Sequence, residues 1–242
     1  MKDILFIDKP KGWSSFDVIR HLRKRLYVQK MGHAGTLDPM ATGLLIIGVG
    51  KGTKRLTEFI GLPKTYRMRV LLGKRTATGD LEGEVQEERA VVKPDKRKVE
   101  EVLAGMVGEI ELPIPMYSAV KYKGKPLYRY ARQGIAVPVK MRTSRIRRLR
   151  LCGVSREGAC PEPACSEPVE PVEGKGWVLD IELEADKGTY ARAVAEEIGS
   201  RLGAPATLAG LRRIKIGDYD VGEAEALDDT HMKSALSSSR RR

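Results

Sequence analysis

The chain has 242 residues, with 44 Lys and Arg against 32 Asp and Glu, a formal net charge of +12. That length suits one large domain or two small ones, and it buries a core without disulfides or a structural metal. The longest apolar stretch, Leu44 to Val49 with one Gly inside, falls far short of the roughly 18 residues a membrane-spanning helix needs, and the sign of the charge makes polyanions the natural partners.

In chain order, residues 3–8 (DILFID) predict a short strand. Ser14 or Ser15 caps a helix that carries Val18, Ile19, Leu22 and Leu26 on one face. Met31 to Gly43 is a loop rich in Gly, Pro and Asp, followed by a buried strand from Leu44 to Val49 and a short helix from Lys54 to Ile60. Tyr66, Met68, Val70 and Leu72 alternate with Arg67, Arg69 and Leu71, the pattern of a half-buried strand. Pro94 and Asp95 open a helix through Leu103 that Gly105 ends. Trp177 to Ala185 alternates as a strand, Thr189 to Leu202 is helical with Gly203 and Pro205 as stops, and Leu208 to Ile216 returns to strand. Strands and helices mix without a repeating βαβ period, so the expected class is α+β with a mixed, mainly antiparallel sheet.

Residues 157–176 hold Pro161, Pro163, Pro168 and Pro171 with five glutamates. Proline at that density does not pair in a sheet, and the stretch has almost nothing to bury, so it is expected to be a disordered insertion. A disordered basic tail is expected over 230–242. The N-terminal segment carries Asp3 and Asp8 and lacks the apolar core of a signal peptide, which points to the cytoplasm. The three cysteines, Cys152, Cys160 and Cys165, make an odd count that argues against a disulfide framework. With only three histidines, no tetrahedral metal set is offered.

The positive charges cluster. Arg20, Arg23, Lys24, Arg25 and Lys30 form one group, and Arg142, Arg145, Arg147, Arg148 and Arg150 form another. Aromatic residues are only 5% of the chain, which favours a phosphate backbone over a membrane surface. Gly48, Gly50 and Gly52 do not make a phosphate loop, because Gly50-Lys51 is followed by Gly52 rather than Ser or Thr.

The segment that carries chemistry is GHAGTLDPMATG, Gly32 to Gly43. Its glycines permit close approach to a ligand. Pro39 fixes the chain just after Asp38 and limits Asp38 to extended conformations. A carboxylate held this way, just before a buried strand, is well placed for a site.

This loop resembles the catalytic loop of the TruB family of tRNA pseudouridine-55 synthases. Further segments match in family order: Asp8-Lys9-Pro10-Lys11-Gly12 with Ser14-Ser15, Lys64-Thr65-Tyr66-Arg67, and Pro115-Met116-Tyr117-Ser118-Ala119-Val120-Lys121. Leu127-Tyr128-Arg129-Tyr130-Ala131-Arg132-Gln133-Gly134, Lys187-Gly188-Thr189-Tyr190-Ala191-Arg192 and Leu211-Arg212-Arg213 follow. The resemblance covers roughly residues 3–228, interrupted by the Pro/Glu-rich insertion. It implies one catalytic domain over 1–229, with a thumb-like segment near 113–138 and without the C-terminal RNA-binding domain usual in bacterial members.

The resemblance also implies an α+β fold of the pseudouridine-synthase type and a partner, the T-stem-loop of tRNA. No cofactor, metal, membrane or protein partner is expected, and the chain is expected to act as a monomer. In such enzymes the C1′–N1 bond of a uridine breaks, the base turns, and C1′ bonds to C5. By resemblance Asp38 is the catalytic carboxylate and Arg192 its arginine partner. Tyr66 packs on the flipped base and is a candidate proton acceptor, Tyr190 is a second pocket tyrosine, and Leu211 is an apolar contact. His33 fills space left by flipped nucleotides. Lys9, Arg20, Arg129, Arg132, Arg147 and Arg148 are candidates for phosphate contacts. Whether Asp38 attacks C1′, adds to C6 or assists a glycal route is open at this level. A non-catalytic RNA-folding module has no need of Asp38, Tyr66 and Arg192 together. A glycoside hydrolase needs a second carboxylate that no motif here supplies.

Overall fold

The computed structural model describes residues 3–157 and 176–227. Most of the expected Pro/Glu-rich insertion and the whole expected basic tail lie outside the described residues. Contacts divide the chain into two units, one made of residues 1–66 and 211–242, the other of residues 67–210.

The first unit opens with β1 (Ile4–Lys9), α1 (Ser15–Leu26), β2 (Met31–His33) and β3 (Thr42–Val49). A 3-10 turn over Gly50–Arg55 leads into α2 (Leu56–Ile60), and β4 (Lys64–Leu72) begins here and crosses into the second unit. The second unit continues with β5 (Lys74–Thr76), β6 (Val85–Glu88), α3 (Lys96–Ala104) and β7 (Gly108–Pro113). Then come the short strands β8 (Lys121–Tyr122) and β9 (Lys125–Pro126), α4 (Leu127–Arg132), β10 (Met141–Arg156), β11 (Trp177–Ala185) and α5 (Ala191–Leu202). β12 (Ala206–Ile216) crosses back, and β13 (Tyr219–Asp220) and β14 (Glu225–Ala226) close the first unit.

In the first unit β1 pairs antiparallel with β3 and parallel with β14, while β2 pairs antiparallel with β3. β12 runs parallel to β3, with Arg212 opposite Thr42 and Arg213 opposite Gly43. Gly43 sits at φ +100°, and a Cβ there would collide with the carbonyl of Arg213, so only glycine lets these two strands close. In the second unit β10 pairs antiparallel with both β11 and β7. The expected α+β class with a mixed, mainly antiparallel sheet is what the pairings show.

α1 forms as its sequence dictates. Ser14 is the N-cap and exchanges hydrogen bonds with Asp17 in a capping box, which holds the Asp17 carboxyl below its usual range. Val18, Ile19, Leu22 and Leu26 pack with Ile7, Leu45 and Ile47. α3 keeps its expected Asp95 cap and Gly105 end.

Four expectations are corrected. Met31 to His33 is a strand rather than loop, because β3 offers it an edge. The helix expected over Lys54 to Ile60 is a 3-10 turn followed by α2. α5 starts at Ala191 rather than Thr189, with Tyr190 as N-cap. β4 is buried along most of its length rather than half-buried. Arg69 is 1% exposed there, and its guanidinium lies 3.2 Å from Asp180, so the alternation of arginines does not mark a wet face.

Candidate active site

Asp38 sits half-buried on the loop between β2 and β3. Both neighbours are tied down. On the Leu37 side the Ser15 hydroxyl accepts from the Leu37 amide at 2.9 Å and lies 3.2 Å from the Leu37 carbonyl oxygen, to which it donates. On the Pro39 side the carbonyl accepts from the Gly12 amide at 2.8 Å and from the Lys9 ammonium at 3.3 Å. The Ala41 amide closes a turn on the Asp38 carbonyl at 3.1 Å. The carboxylate is thus carried by a backbone bonded to the fold on both sides.

Lys9 corrects the sequence expectation of a phosphate contact. It is 0% exposed, and its ammonium donates to the carbonyls of Pro10, Trp13 and Pro39. A cation desolvated to that degree holds the turn and does not reach a solvent-side phosphate. Lys64 is used in the same way. Its ammonium donates to the carbonyls of Ile60 and Leu62 at 2.7 and 2.6 Å, at the C-terminal end of α2 where the helix dipole favours a cation.

Arg213 is the residue sequence reasoning passed over in this unit. It is 1% exposed, and Nε donates to the Leu44 carbonyl at 2.7 Å. Nη2 donates to the Gly35 carbonyl at 3.2 Å and Nη1 to the Thr36 carbonyl at 3.4 Å. The Tyr66 hydroxyl is a further hydrogen-bond acceptor for this guanidinium. One buried side chain on β12 therefore binds the loop before Asp38, the strand after it and the tyrosine on β4. Burial pulls the Arg213 guanidinium below its usual range. Leu211 is buried and alternates with Arg213 along the same strand, so the two share a face.

His33 lies at the end of β2, half-buried, and burial pushes its imidazole below the ordinary value, with the Arg213 charge adding to the effect. A backbone hydrogen bond to Gly35 acts weakly the other way. Among the described residues its Nδ1 is buried with no hydrogen-bond partner. His33, Asp38, Tyr66 and Leu211 all belong to the first unit.

Tyr190 and Arg192 belong to the second unit, at the N-cap and second residue of α5. Tyr190 is half-buried and Arg192 is 5% exposed. The Arg192 guanidinium donates to the carbonyls of Thr78 at 2.8 Å and Tyr117 at 2.9 Å, and its Nε lies 3.8 Å from the Asp80 carboxylate. Asp80 is itself buried and accepts from the Thr78 hydroxyl and the Glu82 amide. Asp80 was not among the expected residues; an isolated Thr-Gly-Asp turn carries no signal of the arginine it faces.

The remaining basic candidates differ in their surroundings. Arg129 and Arg132 are exposed on α4, Arg132 lying over the Tyr128 ring. Arg20 is exposed on α1 and paired with Asp17 at 3.0 Å. Arg147 is bonded to Asp186 at 2.6 Å, and Arg148 to Glu182 at 2.9 Å. Those two arrive at any phosphate already partly neutralised. Among the described residues no helix is long and apolar enough to cross a membrane, and no group of His, Cys, Asp and Glu could hold a metal.

A half-buried carboxylate on a tied-down loop, with the buried Arg213 bonded both to that loop and to the half-buried Tyr66, on an α+β fold whose chain carries a net charge of +12, defines a candidate RNA-modifying site. Residues 23–191 match the TruB family pseudouridylate synthase (N terminal domain), and the chain belongs to that family. Its curated relatives include tRNA pseudouridine synthase B of Cupriavidus taiwanensis, 41% identical over 239 residues, covering 96% of this chain and 70% of the relative. The protein of the same name from Endomicrobium trichonymphae is 37% identical over 227 residues, covering 94% and 90%. Among solved structures, an H/ACA RNP bound to a substrate RNA containing 2′-deoxyuridine aligns at a TM-score of 0.65 with 20% identity, over 98% of this chain and 55% of that one. A Cbf5-Nop10-Gar1 complex aligns at 0.64 with 23% identity, over 93% and 52%. The chain spans about half the length of those two structures' chains, and at that identity they speak for the fold alone.

Proposed function

We propose that this protein isomerises the T-loop uridine of tRNA to pseudouridine, with Asp38 as the reacting carboxylate. The observation that carries the reading is the loop around Asp38, bonded to the fold on both sides of the carboxylate. The reaction gains and loses no group: the C1′–N1 bond breaks, the base turns, C1′ bonds to C5, and the C5 proton is removed while N1 ends protonated. Such chemistry needs a fixed carboxylate and a base able to take the C5 proton, which is the part Tyr66 plays. The uridine must first leave its loop, at a cost of a few kcal/mol, and stacking on an aromatic ring returns about 1–3 kcal/mol. Tyr66 and Tyr190 supply rings, Leu211 an apolar wall, and His33, kept neutral by its burial, occupies the space the base vacates. In this reading Arg192, held by the carbonyls of Thr78 and Tyr117 and by the Asp80 carboxylate, is the arginine that the family resemblance assigns to the reaction. Arg20, Arg129, Arg132, Arg147 and Arg148 meet phosphates. The protein works as a single chain without a protein partner, in the cytoplasm.

The test is Asp38→Asn or Asp38→Ala on a T-arm hairpin. Carbodiimide treatment followed by reverse transcription should give a stop at the modified uridine with wild type and none with either variant, while RNA affinity stays within a few-fold. Equal stops with wild type and variant overturn the reading.

A further inference from the structure

α1 presents a stripe that the catalytic site does not use. Phe16, Arg20, Arg23 and Tyr27 recur at helical spacing on one side, apart from Val18, Ile19, Leu22 and Leu26, which are buried. Phe16 is 54% exposed, and the guanidinium carbons of Arg20 and Arg23 each lie 5.7 Å from its ring centroid. Arg23 Nε is buried with no hydrogen-bond partner among the described residues. Tyr27 is 91% exposed and sits in the left-handed region at φ 54°, where a glycine would be less strained. It covers no core, so packing does not explain an aromatic ring there. Lys24 and Lys30 are exposed beside it, and Asp17, the acidic side chain on this helix, is already paired with Arg20.

The stripe starts next to the catalytic loop. Ser15, one residue before Phe16, is the residue bonded to Leu37. From there the helix runs about 17 Å to Tyr27 at 1.5 Å per residue. We propose that this face is a second RNA-docking surface, on which Phe16 and Tyr27 stack against unpaired bases or riboses while Arg20, Arg23 and Lys24 follow the phosphates. The proposal rests on the RNA-modifying reading above and extends it to a surface outside the pocket. The chemistry selects RNA: two exposed rings interleaved with three cations against the single carboxylate of Asp17 match a single-stranded backbone, whereas a membrane face needs a broad apolar side that α1 spends on the core.

The experiment measures tRNA affinity of the full chain over a range of salt concentrations, with Phe16→Ala, Tyr27→Ala and the double variant Arg23→Glu, Lys24→Glu. Each aromatic variant should bind about tenfold more weakly. The double variant should flatten the slope of log affinity against log salt by about 1.5. Phe16→Tyr should bind as wild type does, and all variants should keep the wild-type unfolding midpoint. Ultraviolet crosslinking should place RNA adducts on the peptide spanning residues 15–30. Affinity within twofold of wild type, an unchanged slope and no adduct there would overturn the proposal. So would a Phe16→Ala variant that binds RNA normally but changes self-association, since the face would then serve protein contacts. Wild-type binding and pseudouridine formation are read in the same assay. A failure of the catalytic reading shows in wild type itself, whereas a failure here leaves wild type active and the variants indistinguishable from it.

Discussion

Around the Asp38 loop, cations are buried and bound to main-chain carbonyls; along β10 they are exposed and bound to carboxylates. Lys9 and Arg213 hold the carbonyls of Pro39, Gly35, Thr36 and Leu44. Arg148 and Arg150 lie over Glu182 of the neighbouring strand and are more than half exposed. The same residue types do opposite work. In the first setting water is excluded, so each bond replaces solvation that neither partner could recover. In the second, water and salt compete for every charge, and the pairs shape the surface potential more than the stability.

The widest break in this contrast should come from Arg213→Leu. Three carbonyls lose their donor and Tyr66 loses its anchor, so urea unfolding should show about 3–5 kcal/mol lost, with pseudouridine formation falling as well. A loss under about 1 kcal/mol would erase the distinction between the two regions. Ser15→Ala removes both bonds to Leu37 and leaves its amide buried, for about 1–2 kcal/mol and a slower turnover at full RNA occupancy. A smaller effect concerns pH. His33 titrates lower in the folded chain than in the unfolded one, so the unfolded state takes up the proton first. Its contribution is fully present above the ordinary histidine value and is lost as pH falls from there through the lower value of the folded chain. Thermal midpoints between neutral and mildly acidic pH should therefore fall less steeply in His33→Gln than in wild type. Smallest of all, Arg148→Ala should change unfolding free energy by no more than about 0.5 kcal/mol, and calorimetry would detect a larger value.

What the sequence disclosed follows the range of the interactions involved. β1, the Ser14 cap of α1 and the Asp95 cap of α3 were legible because a cap and its helix lie within a few residues. The sixteen-residue strand β10 was not, because irregularities between Ile146 and Arg148 and between Leu151 and Gly153 break its alternation. Its arginines therefore read as a bare charge run. The buried state of β4 was missed for a related reason: Arg69 looks like a solvent-side residue until Asp180, far along the chain, comes to meet it. At the site, Asp38 stood out by its Gly/Pro setting and by resemblance. Ser15, Arg213 and the burial of Lys9 were invisible, since each depends on partners 22 to 178 residues away.

The double tether of Ser15 on Leu37 has a thermodynamic corollary for the encounter with RNA. A loop stitched to the first turn of a core helix has no melting transition of its own, and its amides should exchange with solvent only when that helix opens. The ordering entropy of the carboxylate is then met once, during folding, and every incoming nucleoside finds the oxygen pair already aimed.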